Sequence, residues 1–124
     1  MITHHYNAEL KILEVFYIGD IYINDLLEYG EMIRTNDSLP RDLKILTNAS
    51  EATYHLSMQE ISFMMDVLKM QIVPYNSVKT AVIQEKPIET AISMLVDIGS
   101  PIPGYSHKVF ATRHGALDWL LHTE

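Results

Sequence analysis

The chain alternates two kinds of apolar pattern, and that alternation limits what it can fold into. Leu10 to Ile18 (LKILEVFYI), Leu43 to Thr47 (LKILT), Val78 to Gln84 (VKTAVIQ) and Lys108 to Ala111 (KVFA) are short runs rich in β-branched and aromatic residues. In the first of these, apolar residues fall on both faces of an extended backbone, as in a strand covered on both sides. Gly19-Asp20 is expected to end it. His4 to Asn7 reads as a short preceding strand, with Asn7-Ala8-Glu9 as the turn.

Helical spacing fills the intervals. Asn24 is placed to cap a helix carrying Leu26, Leu27, Gly30 and Ile33, and Asn36 to Pro40 reads as the loop after it. Ser57-Met58-Gln59-Glu60 has the form of a capping box, Ser at the N-cap and Glu three residues later. Ile61, Met64, Met65, Leu68 and Ile72 then form one stripe, closed by Pro74, with Met58 and Met70 expected off it. Pro87 suits a first helical turn, and Ile88, Ala91, Ile92, Leu95 and Val96 follow as the next stripe. Gly99 to Gly104 is a turn-rich loop stiffened by Pro101 and Pro103. Thr112 is placed to cap a last helix with Ala116, Leu117, Trp119, Leu120 and Leu121, and Trp119 is expected in the core. Strand–helix units in this order favour a mostly parallel sheet with helices on both faces, made mixed by the lead-in hairpin. The expectation is one α/β domain over residues 1–124, with four or five strands and about four helices.

Length and composition narrow the function classes. A chain of 124 residues buries roughly two-thirds of its unfolded surface and needs no covalent staple. It has no cysteine, which removes thiol nucleophiles, disulfides and thiolate metal sites. Nine Lys and Arg face 16 Asp and Glu, and only three are Arg, so nucleic acid and anionic membrane surfaces are not expected partners. The start lacks a basic region followed by an apolar run, and no apolar run is long enough to span a bilayer. A soluble, cytoplasmic protein is expected.

Three segments carry a resemblance. Phe16-Tyr17-Ile18-Gly19-Asp20-Ile21 runs from a strand into a "G-D/E-hydrophobic" entry before a helix. Leu39-Pro40-Arg41-Asp42-Leu43-Lys44-Ile45-Leu46-Thr47-Asn48-Ala49 has the form "LP-x-x-hydrophobic strand". Val109 to Leu120 (VFATRHGALDWL) matches an ending of the form "VF-small-S/T-x-x-x-A-hydrophobic-x-W-L". Together they resemble the SpoIIAA-like proteins, whose β-α superhelical fold is shared by STAS and Sec14-like domains. The resemblance implies a regulatory or protein-interaction module; the Sec14-like side of the fold implies a small apolar ligand or lipid instead. In STAS antagonists of anti-sigma factors a phosphorylatable Ser opens a helix within a "D-S-x-G" type motif. Ser57 opens a helix here, but no Asp precedes it and no Gly follows, so an N-cap role is the stronger reading.

No recognisable catalytic machinery stands beside that fold. His4, His5, His55, His107, His114 and His122 form no H-x-x-x-H or H-E-x-x-H pattern, so no metal is expected. There is no G-x-S-x-G elbow, and no two of the five Gly lie within three residues of each other, which leaves no phosphate-cradling loop and no expected cofactor. Acidic pairs such as Asp20 with Asp25 and Glu28 with Glu31 sit near the first helix start, where they complement its dipole. The expected protein is therefore not an enzyme. Its candidate interaction or phosphate-accepting residues are Ser57 and His55, with Ile102 and Tyr105 displayed on the proline loop. Its partner is an unidentified protein, a second copy of itself, or a small apolar ligand. A hydrolase with a dispersed site would instead gather His55 or His107 with Ser and carboxylates.

Overall fold

Every strand-type run becomes a strand, and two of them extend well past their apolar letters. The computed structural model describes residues 1–97 and 102–122. The elements are β1 (Ile2–Asn7), β2 (Ile12–Tyr22), α1 (Ile23–Thr35), β3 (Asp42–His55), α2 (Met58–Gln71), β4 (Ser77–Ile83), α3 (Pro87–Asp97), β5 (Tyr105–Phe110) and α4 (Arg113–His122). They form a five-stranded sheet in the order β1-β2-β3-β4-β5. β1 pairs antiparallel with β2, and the other three pairings are parallel.

This order decides where the helices go. Right-handed crossovers that step the same way across a sheet all fall on one side of it. Accordingly α1, α2 and α3 cover one face. Leu13, Val15, Ile45 and Val78 there meet Ile33, Leu39 and Ile72. Helix α4 has no further strand to reach and folds back over the opposite face, where Ile12, Leu46, Ala81 and Ile83 meet Ala116 and Leu120. Thr112 caps α4 by accepting from Gly115 N at 3.1 Å.

The long strands correct the expected boundaries. Gly19-Asp20 does not end β2: Gly19 takes φ +73°, and the strand continues to Tyr22. β3 runs eight residues beyond Thr47. Its pairing with β2 moves from Phe16↔Asn48 to Ile18↔Glu51, so β3 carries one extra residue. That bulge shifts the parity. Thr47 and Ala49 face the three-helix side before it, and Ala52 and Tyr54 return to that side after it. Asn48 Oδ1 accepts from the amide and hydroxyl of Ser50 at 3.1 and 2.7 Å, holding the bulge locally.

Two further corrections concern helices. The α1 cap is Tyr22 rather than Asn24: Tyr22 N donates to Asp25 Oδ2 at 2.8 Å. Helix α3 starts at Pro87 as expected but turns a different face inward. Ile88 is 70 % exposed, whereas Glu89 and Ser93 are buried. The inward set is Glu89, Ile92, Ser93 and Val96, again at i, i+3, i+4, i+7 spacing.

Candidate functional site

The three helices do not fill the space above the sheet. A cavity of about 130 Å³ remains between them. Its floor comes from alternate residues of four strands: Tyr17 on β2, Ile45, Thr47 and Tyr54 on β3, Val78, Thr80 and Val82 on β4, and Tyr105 and His107 on β5. The period of two that aims apolar residues at the helices also aims these polar ones there. The roof is Leu26, Tyr29, Gly30 and Ile33 from α1, Met64, Leu68 and Gln71 from α2, and Ile92, Ser93 and Val96 from α3. Helix α1 packs along α2, whereas α3 rests on β3 and β5.

Gly30 and Gln71 set how closely α1 and α2 approach in the roof. Gly30 lies against the Gln71 side chain so closely that a Cβ there would stand 2.0 Å from Gln71 Oε1. Gln71 is itself buried, and its Nε2 donates to the Leu27 carbonyl at 3.3 Å. The amide side chain thus crosses from α2 to α1 and sets their approach. Tyr17 stands edge-on to Tyr29 at 6.1 Å and to Tyr54 at 6.4 Å. Burial pushes the Tyr17 and Tyr29 phenols well above their usual range, and neighbouring tyrosines add to it. Burial also raises Tyr54, partly offset by its hydrogen bond with Ser93. All three are neutral O–H groups at any physiological pH.

The residues singled out from sequence fall into two separate places. Ser57 and His55 sit at the carboxyl ends of the parallel strands. Ser57 is exposed and caps α2 reciprocally: its Oγ accepts from Glu60 N at 3.1 Å, and its own N–H donates to Glu60 Oε1 at 2.9 Å. His55 is exposed, stacks on Tyr22 at 4.8 Å, and meets Asp20 Oδ1 through Nε2 at 2.9 Å. Ile102 and Tyr105 lie at the other end of the sheet and are not displayed on a loop. Ile102 is 8 % exposed and belongs to the core. Tyr105 opens β5, which begins three residues earlier than its apolar letters, and it lines the cavity beside His107 at 6.3 Å. Gly99, Ser100 and Pro101 of that loop lie outside the described residues.

The other chemical candidates have structural uses. Asp25 holds the α1 cap, and Glu31 pairs with Arg34. His55 does not line the cavity that holds His107 and Ser93, and among the described residues no Asp or Glu lines it. Among the described residues no three His, Asp or Glu gather as metal ligands. Sequence reasoning passed over Tyr17, Tyr29, Tyr54 and Ser93. The available signal was polar residues at inward positions of otherwise apolar strands and helices.

No family model and no curated protein matches the chain. A solved structure does. It is an uncharacterised protein of the DUF3478 family, with a SpoIIAA-like fold, from Shewanella loihica PV-4. The likeness has a TM-score of 0.62 and covers 97 % of this chain and 92 % of that one, at 15 % identity. The fold is SpoIIAA-like. Of the three segments that carried the resemblance, Phe16 to Ile21 lies within β2, Leu39 to Ala49 covers the entry and first half of β3, and Val109 to Leu120 runs from β5 into α4. In this SpoIIAA-like chain the serine at the α2 start is a cap, and the larger feature is the cavity under the helices. No helix among the described residues is long and apolar enough to cross a membrane.

Proposed function

We propose that this SpoIIAA-like chain binds a small apolar ligand between its sheet and helices α1, α2 and α3, and acts through that binding rather than through catalysis. The cavity carries the reading. Its volume of about 130 Å³ is below the usual range for drug-sized ligands but suits a molecule of roughly six to eight non-hydrogen atoms. Its walls are mostly aliphatic and aromatic, with a few polar groups aimed inward, the composition of a ligand site rather than a packing fault. The test is direct. Benzene or toluene added to isotope-labelled protein is expected to shift the amide signals of Thr47, Thr80, Ser93 and Val96 in a saturable way, leaving α4 signals unmoved. No saturable shift up to the solubility limit of either probe would sink the reading.

A non-catalytic regulatory or protein-interaction role is the second reading, favoured by the apolar side chains that α2 exposes. Met58 is 66 %, Phe63 53 % and Met70 70 % exposed. A partner recovered with the native chain but lost with Phe63→Ser plus Met70→Ser would support it; equal recovery with both would count against it.

A further inference from the structure

The polar groups of the cavity wall narrow the chemistry of its occupant, given the ligand-binding reading above. Among the described residues no Asp, Glu, Lys or Arg lines the cavity. An ion entering it would lose its water without an opposite charge to meet. Several polar groups of the wall are already engaged: Ser93 with Tyr54, Gln71 Nε2 with the Leu27 carbonyl, and His107 stacked with Tyr105.

Tyr17 and Tyr29 differ from these. Neither hydroxyl has a hydrogen-bond partner among the described residues, and neither is sealed away, because every fully sealed side-chain oxygen and nitrogen among those residues has a partner. The two rings meet edge to face at 6.1 Å, and both residues line the cavity. Both residues are half-buried, and Tyr29 also borders a second pocket lined by Asp25 and Glu28. These two O–H donors stand in a wall that Thr47, Thr80, Tyr105 and His107 also line.

We infer that the cavity takes a compact, uncharged molecule with an apolar body and a single hydrogen-bond-accepting atom, held by the Tyr17 and Tyr29 hydroxyls. The body packs on Ile45, Val78, Val82 and Leu68, and the acceptor end meets the tyrosine pair. Ketones, ethers and esters of roughly seven non-hydrogen atoms fit this description. Carboxylates, phosphates and ammonium compounds do not.

Three probes of similar size separate the outcomes: cyclohexanone, methylcyclohexane and cyclopentanecarboxylate, each titrated into labelled protein while amide shifts are followed. Cyclohexanone is expected to bind tightest, by at least about fivefold over the hydrocarbon, and the carboxylate weakest. In the Tyr17→Phe, Tyr29→Phe double variant the ketone is expected to weaken about three- to tenfold, down to the hydrocarbon's affinity. Unchanged methylcyclohexane binding in that variant shows that its cavity is intact. Equal binding of ketone and hydrocarbon by the native chain, or tightest binding of the carboxylate, overturns the inference while leaving the ligand-binding reading in place. No binding of any of the three overturns both.

Discussion

The side-chain amide of Gln84 donates to the main-chain carbonyl of Ala49, joining the end of β4 to the bulge in β3. Gln84 is 2 % exposed, and its Oε1 also accepts from the amides of Glu85 and Lys86 at 2.9 and 3.0 Å. Lys86 Nζ donates to the Ala52 carbonyl at 2.9 Å. β4 stops at Ile83 while β3 runs on to His55, so the far half of β3 has no parallel neighbour on that side. These two side chains satisfy the carbonyls left over, and they also lead the chain into α3.

Replacing Gln84 by Leu is expected to leave a buried carbonyl and two loop amides unpaired, at a cost of about 2 kcal/mol. The midpoint of thermal unfolding should fall by roughly 6 to 10 °C. Lys86→Met, at an exposed position, should cost less than half as much. A Gln84→Leu variant as stable as the native chain would mean that the bulge does not depend on this amide.

Arg113 Nη1 donates to Glu14 Oε1 at 2.7 Å, pinning the first turn of α4 to β2, and Asn7 Nδ2 holds the other oxygen at 2.9 Å. The Arg113 hydrogen bond keeps the Glu14 carboxyl below its ordinary value of 4.5, against the opposing effect of burial. A lowered folded value means that the unfolded chain takes up its proton first as pH falls. The contribution is therefore complete above about pH 5 and is lost as pH drops through the folded value, below 4.5. Glu14→Gln is expected to cost about 1 kcal/mol at pH 7, because Arg113 is half exposed, and little at pH 3. Urea unfolding at both pH values checks this; an equal cost at both would remove the ion pair as the cause.

The order of strands and helices was legible because it rests on local apolar patterns, which survive in almost any packed context. Boundaries were less so. The apolar run of the second strand stops at Thr47, and Asn and Ser, which bond readily to nearby backbone, follow it. In the fold that same bonding stabilises a bulge inside a strand, because pairing with Ile18 to Tyr22 of β2 outweighs local preference. Helix α3 misled for a related reason. Its apolar residues span more than half its circumference, and the side that faces inward carries Ser93, whose partner Tyr54 is 39 residues away and is revealed by no spacing. The cavity was the least legible feature. Inward polar residues such as Thr47, Thr80 and Ser93 were the one local sign, and the void itself exists only in the sum of the wall's volumes.

Ser57 tests the cap against the switch. Ser57→Ala should lower stability by about 1 kcal/mol, since the Glu60 amide loses its acceptor. Ser57→Asp should stay within a few tenths of native, because Asp serves equally well at an N-cap and favours the helix N-terminus. Thermal unfolding of the pair is the measurement. An Asp variant as unstable as the Ala variant would exclude the cap as the main role of this serine, and would return attention to what else its hydroxyl does.

Val96→Phe tests whether the cavity is real space. Val96 lines it from α3, at an inward position. In a filled core the larger ring would force its neighbours aside at a cost of about 1 to 3 kcal/mol. In a void of about 130 Å³ the ring instead buries apolar surface without displacing anything, and a gain of about 0.5 to 1.5 kcal/mol is expected. The same ring occupies the ligand's place, so benzene or cyclohexanone should bind at least about tenfold more weakly. Stability and binding are thus predicted to move in opposite directions in one variant. Loss of both would mean that the ring disrupts the fold; a stabilised variant that still bound the probes as tightly as the native chain would place their site elsewhere.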